Sequence, residues 1–480
     1  MTDAAPLIVP IDLAGSTSIS RGAALRRFGQ IVAAGIRRLG PVALRWPFVR
    51  DSVRRRELLG AALYRFVVDL GATFVKLGQL LASSPSLAGQ TVADAMRGVL
   101  DDGPAIPMSE VRRVVEADLG RPLEAVFSTF DERPFAAASL AVVHRATLRD
   151  GTDVAVKVLR PDSAVVVATD LRLVEPFLRW VARQLPVGAL PAVPQVIDGL
   201  AEQLAEELDL RNEARVMVWF REMVTYIGAS GVATPRPIIE ASGRDTLTME
   251  YVDGATIDDL EAIAAQSIDV RTAIESLIEA WFALALCTGV FHGDMHAGNL
   301  RLASDGTVFL LDWGIVGRLP DASRRFFRRS LEGALGDETA WPDVRDHLLS
   351  SIDDELLASA GFTPDDFLAI VRAQTLLIMT KPFSELDLMM LMPTANVPDT
   401  GATVATPTTP LGWARLVRDE RRRLRSVGAD ALQQAPPRGE LLLIKQLVFF
   451  ERYGKLFLGD KPLVYDPAVY EALLALEPVA

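Results

Sequence analysis

Apolar residues at Leu59, Leu63, Phe66, Leu70, Phe74, Leu77 and Leu81 recur at spacings of four and three, which predicts one helical stripe within residues 57–100. Residues 100–107 (LDDGPAIP) break that pattern, and residues 109–128 again read as helix. The period then changes to two. Residues 141–148 and 153–159 alternate on either side of Asp150-Gly151, a hairpin signal, and a third strand is expected over 134–140. Residues 162–224 read as helical, interrupted by prolines at 186, 191 and 194. The stretch TLTMEYV, 246–252, predicts a strand ending at Asp253-Gly254. Beyond it the chain reads as helical, except for a small hairpin of 299–303 and 307–311 about Asp305-Gly306 and a Pro/Thr-rich loop over 393–410. No internal repeat is found. A strand-rich unit before a helix-rich one is an α+β pattern in two lobes, and a cleft between lobes is where a ligand site is sought. The expected boundaries are a basic arm over 1–56, a helical extension over 57–121, a strand-rich lobe over 122–253 and a helix-rich lobe over 254–480.

Composition adds constraints. Half of the 480 residues are hydrophobic, the mean hydropathy is +0.23 and the net charge is −12. The longest apolar run, 280–291, falls short of the roughly 20 residues that a bilayer span needs. The start, MTDAAPLIVPIDLAG, lacks the basic opening of a signal peptide. A single cysteine, Cys287, excludes an intrachain disulfide and reads as a small core residue, so a cytoplasmic location is the default. The charge is uneven. Ten arginines and two acids between Arg21 and Glu57 make that stretch about +8 and leave about −20 (−12 minus +8) for the remainder. Leu25, Phe28, Ile31, Ile36 and Leu39 interleave with these arginines. That suits an amphipathic helix on an anionic membrane surface and, equally, a helix packed on the chain's own acidic body. Nucleic acid is not expected as a partner, because the body is acidic and no basic-aromatic binding motif occurs.

The most informative stretch is HGDMHAGN, residues 292–299. Asp294 and Asn299 stand five apart, the spacing of the base and the magnesium-binding amide in a kinase catalytic loop. Thirteen residues after Asn299, Asp312 follows the small hairpin within LLDWG, where Gly314 permits a sharp turn. Oxygen donors from Asn299 and Asp312 suit a hard magnesium ion. Asp and Asn in turns are common; the order of loop, hairpin and Asp-Trp-Gly sets this stretch apart. Upstream, VAVK puts Ala155 and Lys157 on one face of a strand and Val154, Val156 and Val158 on the other. A small residue could then face an adenine while the lysine reaches the phosphates, although alone the tetrapeptide more commonly means a solvated edge-strand lysine. Such a lysine needs a carboxylate to hold it. EELDLRNEA offers Glu206, Glu207, Asp209 and Glu213, and spacing does not choose among them. No P-loop and no GxGxxG occurs. The place of a glycine-rich loop is taken by Phe135-Ala136-Ala137-Ala138-Ser139, whose Cβ atoms restrict the approach of backbone amides to phosphate.

Together these residues resemble the UbiB/AarF family of atypical, protein-kinase-like enzymes over about residues 57–320. VKLGQLL holds Lys76, Gly78 and Gln79 of a KxGQ motif. The alanine-rich loop is followed by VVHRA and VAVK. Glu207-Leu208-Asp209 matches an ExD motif with Glu213 four residues after its Asp, and HGDMHAGN is followed by LLDWG and IVGRL. The resemblance implies a protein-kinase-like bilobal α+β fold with a helical N-terminal extension, and ATP and Mg2+ as cofactors. It implies Lys157 on the phosphates and paired with Glu213, Asn299 and Asp312 on the metal, and Asp294 as the catalytic-base equivalent. Ala136, Ala137, Ala138, Ser139, Ala155, Glu250 and Val252 complete the implied nucleotide contacts. Lys76 and Gln79 are implied to lie across the catalytic cleft with the ExD residues, Lys76 meeting Glu207 or Asp209; outside the family Lys76 reads as a surface lysine. The resemblance further implies a small or lipid-like substrate, a role in isoprenoid-quinone or membrane-lipid metabolism, and peripheral association with the inner face of the membrane.

The sequence departs from the family pattern at Ser84-Pro85-Ser86, where an arginine and an acid are usual, at Val142 for glutamine, at Trp313 for phenylalanine and at Met295 for proline. His292 and His296 read as braces of the loop, His144 and His347 carry no functional signal, and Met389, Met390 and Met392 read as helix packing. Two rivals stay open. A small-molecule phosphotransferase of the aminoglycoside or choline kinase type shares the HGD loop and Asp-Trp, but not the KxGQ helix, the alanine loop or ExD. A non-catalytic nucleotide-sensing scaffold is the other.

Overall fold

The computed structural model describes residues 7–13, 20–49, 51–82, 96, 106–184, 193–350, 363–387 and 437–477. Expectations placed on 100–105, Ser84-Pro85-Ser86, prolines 186 and 191, the three methionines and the loop 393–410 lie outside these residues, as does the side chain of Gln79. The fold is a mixed α+β one, and the chain divides into two compact units: Met1–Leu185 with Ala192–Val218 and Arg236–Tyr251, and Pro186–Pro191 with Trp219–Pro235 and Val252–Ala480.

In the first unit, four antiparallel strands run in the order Phe127–Phe130, Ala141–Leu148, Asp153–Leu159, Thr246–Glu250. The central hairpin closes at Asp150-Gly151. Gly151 takes a φ of +90°, and Thr152 donates its backbone N–H to Asp150 Oδ1 at 2.9 Å. Val154, Val156 and Val158 pack beneath the helix Met108–Leu119 against Val111, Val114 and Val115, which leaves the other face to Ala155 and Lys157. Two expectations need correction. The third hairpin strand shrinks to Ala136–Ala137, because Ala138 N–H donates to Ala141 O at 2.8 Å and turns the chain at once. Phe127 and Ser128, read as the end of a helix, instead begin a strand, Phe127–Phe130, paired with Ala141–Leu148. The helix before it stops at Gly120, φ +65°, ahead of a short turn of helix, Leu123–Val126.

Over 57–82 the expected 57–100 helix is likewise two helices, Ser52–Leu70 and Ala72–Ala82, broken at Gly71, φ +84°, and the expectation for 83–95 and 97–100 lies outside the described residues. Its residues Leu63, Phe66, Leu70 and Phe74 still meet in one core with Ile31 and Ala34 of the arm helix Arg21–Arg45. Arg27 of that helix donates to Asp170 at 2.5 and 2.8 Å and to Leu70 O at 2.6 Å, while Arg37 and Arg38 share Asp69.

In the second unit, the helix Val270–Cys287 is buried along most of its length and carries Trp281 and Phe282. The expected hairpin is present as Leu300–Leu302 and Val308–Leu310, turning at Gly306, φ +87°. Three short strands escaped the sequence pattern. Val290–His292 pairs antiparallel with Val316–Arg318, and Val232–Ala233 pairs parallel with Val308–Leu310. Two or three residues are too few to display a period. Cys287 is buried, and burial pushes its thiol up, in keeping with a core residue.

Candidate active site

The expected site residues fall in two sets, one in each unit. In the first, Lys157 lies in the strand Asp153–Leu159 opposite Val143 and Leu247 of its two neighbours. Its Nζ donates to both carboxylate oxygens of Glu213, at 3.0 and 2.8 Å, and the two side chains are 10% and 4% exposed. Glu213 stands in the first turn of the helix Leu210–Tyr226, where the helix dipole favours an acid. The structure therefore pairs Lys157 with Glu213 among the four acids that spacing left open. Ala155, buried beside Lys157, shares its face.

The candidates outside the loop 293–299 and Asp312 are also placed. Lys76 meets Glu207 at 3.3 Å, and Gln203 donates to the same carboxylate at 2.8 Å. Asp209 instead takes two bonds from the Arg211 guanidinium, at 2.8 and 2.7 Å, and one from Arg211 N–H at 3.1 Å, so of the two acids offered to Lys76 it is Glu207 that lies against it. Ala136 and Ala137 are in the short strand. Ala138 O accepts from Arg160, and Ser139 is buried in the turn. Glu250 ends its strand and accepts from Arg236 N–H through Oε2 at 3.2 Å; Val252 is the first residue of the second unit's main segment. The ExD region also holds Val9: Asn212 donates to Val9 O and accepts from Val9 N–H, at 3.0 and 2.8 Å.

In the second unit, side chains hold the middle of the loop 293–299, and backbone bonds from Gly293 N–H to Ile315 O and from Leu311 N–H to Asn299 O hold its ends. His292, fully buried, donates from Nε2 to Asp312 O at 2.7 Å and accepts at Nδ1 from Asp294 N–H at 3.2 Å. Burial holds its pKa down to about 4, so it is a neutral brace. His296 accepts from Gly298 N–H at 3.1 Å and lies 3.9 Å from Asp294. Asn299 donates through Nδ2 to Asp294 O at 3.0 Å, which leaves Oδ1 as its acceptor atom, and Asn299 O accepts from Leu311 N–H at 2.9 Å, next to Asp312. Asp312 Oδ1 accepts from Gly314 N–H at 2.9 Å. An amide oxygen and a carboxylate brought together by adjoining backbone fit a hard cation that completes its shell with waters and phosphates. No cluster of three or more His, Cys, Asp or Glu suited to a metal occurs among the described residues.

A model of the ABC1 atypical kinase-like domain matches residues 98–340, half of the chain. An uncharacterized chloroplast aarF domain-containing protein kinase of Arabidopsis thaliana is 30% identical over 83% of this chain and 72% of its own length. The chain belongs to the UbiB/AarF family. An uncharacterized protein of Mycobacterium tuberculosis is 30% identical over 91% of this chain and 81% of its own. A probable protein kinase UbiB of Aeromonas hydrophila is 29% identical over 72% and 63%. A Mycobacterium tuberculosis protein solved with erythromycin aligns over 82% of this chain and 92% of that one, at 22% identity and a TM-score of 0.43.

Within this UbiB/AarF member, the departure at Trp313 has a physical reason. A buried indole N–H needs an acceptor, and Thr234 Oγ1 supplies it at 2.9 Å, itself donating to Leu310 O at 2.8 Å. Trp313 packs on Phe220 and His292, with ring centres 4.7 Å away in each case. Two residues that the sequence reading missed hold the loop from the helix Arg438–Phe457. Gln446 donates to Gly293 O at 2.7 Å and accepts from Met295 N–H at 2.9 Å, spanning Asp294. Lys445 Nζ lies 2.5 Å from Asp294 Oδ1. A signal existed: Gln446 falls on the buried stripe with Phe449, Phe450 and Tyr453, and a polar residue there needs a partner.

Proposed function

We propose that this chain binds Mg-ATP and uses it for phosphoryl transfer to a small or lipid-like hydroxyl, or for hydrolysis, in isoprenoid-quinone or membrane-lipid metabolism. The observation that carries the reading is the Lys157–Glu213 pair. Burying an ammonium and a carboxylate gains little stability, because desolvation offsets their attraction. In protein kinases, by contrast, such a pair must be in place for phosphoryl transfer. Asn299 Oδ1 and the Asp312 carboxylate would hold magnesium, which when bound neutralises phosphate charge. Asp294 would accept the proton of the attacking hydroxyl or water. The Lys76–Glu207 contact favours this reading over an aminoglycoside- or choline-type kinase, which has no KxGQ helix.

The test is binding first. Mg-ATP at 100 times its Kd stabilises a fold by about 2.7 kcal/mol, and Asp312→Asn should remove most of that gain. An undiminished melting shift in the variant refutes the assignment. Phosphate release, with and without quinone-precursor-like phenols and anionic liposomes, then separates an enzyme from a scaffold.

The arm extends the proposal to a membrane surface. Leu25, Phe28, Val32 and Ile36 form an exposed stripe on the helix Arg21–Arg45, continued by Leu44 and Phe48; Leu25, Ile36 and Phe48 are 71%, 70% and 85% exposed. No acid lies between Asp12 and Asp51, and Arg21, Arg26 and Arg45 are exposed. An apolar stripe beside exposed arginines suits anionic lipid, while no helix among the described residues is long and apolar enough to cross a membrane. Flotation with phosphatidylserine liposomes should weaken in a Leu25→Ser/Phe28→Ser/Ile36→Ser variant. Equal flotation of variant and parent removes the arm from the proposal.

A further inference from the structure

We infer that Lys445 is the cation that meets the transferring phosphoryl group, delivered to the catalytic loop by a helix outside the segment that matches the family. The inference rests on the Mg-ATP reading above. HGDMHAGN contains no lysine or arginine, and Asp294 brings a carboxylate to the place where phosphate must pass. Like charges at that range repel unless a cation stands between them or nearby. The structure puts one there: Lys445 Nζ is 2.5 Å from Asp294 Oδ1, across 151 residues of sequence.

The placement does not depend on a flexible lysine stem alone. Gln446, next in the chain and fully buried, grips the peptide groups on both sides of Asp294. Gly439, at the start of the same helix, lies so close to the Arg318 carbonyl oxygen that an added Cβ would collide with it. Arg318 ends the strand paired with Val290–His292, the strand that launches the loop. The helix is thus seated on the loop's own foundation, and its first turn admits no side chain at the contact. Lys445 and Asp294 side chains are 38% and 21% exposed, and a pair so open contributes little to folding. It is also open enough to be exchanged for an incoming anion.

In the reaction the acceptor oxygen forms a bond to the γ-phosphorus as the bond from that phosphorus to the bridging oxygen breaks. The bridging oxygen leaves on ADP with the electron pair. The acceptor proton passes to Asp294. Lys445 keeps its protons and trades the Asp294 carboxylate for the γ-phosphoryl oxygens, the role that a cation supplied in cis or in trans plays in other phosphoryl transfers.

The experiment is calorimetry on the full chain with Mg-ADP, Mg-ATP, and Mg-ADP plus aluminium fluoride as the mimic of the transferring group. Lys445→Ala and Lys445→Gln should leave Mg-ADP affinity within about twofold and lose about tenfold or more for the fluoride complex. Lys445→Arg should recover most of the loss. Two variants guard against one failing to fold, and a merely structural lysine would weaken all three ligands alike. Equal losses for ADP and the fluoride complex, no loss, or tighter Mg-ATP binding in Lys445→Ala each overturn the inference. A parent chain that binds no Mg-ATP overturns the functional reading and this inference with it. A parent that binds, with variants that match it, overturns this inference alone.

Discussion

Lys157 and Asp294 each face an oppositely charged side chain, Glu213 at 2.8 Å and Lys445 at 2.5 Å, but the two placements are reached by different means. Lys157 stands in a strand with antiparallel neighbours on both sides, and Glu213 in the first turn of a helix. Repeating backbone sets the direction of both side chains. Asp294 stands in a loop without repeating backbone and is placed by His292, Gln446 and Lys445. The first pair is nearly dry and the second is partly wet. A dry pair fixes one direction for a lysine. A wet pair can be exchanged.

The dry pair gives the largest expected effect. Glu213→Gln leaves a buried ammonium without its carboxylate and should cost about 3–5 kcal/mol in urea unfolding of the nucleotide-free chain. Lys157→Met/Glu213→Leu should be close to the parent or more stable, since apolar groups of similar volume replace buried pairs at little cost. A double variant as unstable as the single one would show that the cost does not come from the orphaned charge.

The loop responds to pH. His292 is neutral in the fold with a pKa of about 4, against an ordinary value of 6.5. Below pH 6.5 the unfolded chain takes a proton that the folded chain refuses. The stability is therefore full above pH 6.5 and is lost as pH falls toward 4, by about 3 kcal/mol. In an NMR titration of the four histidines, His292 should stay neutral at pH 5.5; titration near 6.5 would contradict the buried brace.

Gln446→Leu comes next. It strips Gly293 O and Met295 N–H of their side-chain partner, at about 1 kcal/mol for each group and so about 2 kcal/mol in all. It should also weaken Mg-ATP binding, because Asp294 and Asn299 lose their support. If binding holds while stability falls, the glutamine braces the helix and not the loop.

This contrast also explains what the sequence disclosed. The hairpin, Lys157 and its face were legible because Val154, Val156 and Val158 alternate with Ala155 and Lys157, and Asp150-Gly151 marks the turn. The α+β order and the family were legible for the same reason, together with the HGDMHAGN and ExD spacings. Glu213 was only one of four acids until the helix Leu210–Tyr226 gave it a direction. Val290–His292 and Val316–Arg318 were hidden by their length, and Phe127–Phe130 by the apolar helix before it. Lys445 and Gln446 were hidden because contacts over 151 and 153 residues leave no local period.

The arm offers the smallest effect and a comparison of its own. One face of the helix Arg21–Arg45 carries Ala34 and Ile31 into the core and Arg27 onto Asp170, which is fully buried. Another face carries Leu25, Val32 and Ile36 to solvent. Apolar character alone would rank these residues alike; burial does not. Leu25→Ser, Val32→Ser and Ile36→Ser should each change stability by no more than about 0.5 kcal/mol, as surface substitutions do. Arg27→Ala should cost several times more, since it strands the Asp170 carboxylate. Removing the whole arm would therefore confound a lipid-binding test with unfolding, whereas the serine variants leave the Arg27–Asp170 anchor in place. If the serine variants melt well below the parent, that face is covered by the chain itself, and the arm has no surface to offer a membrane.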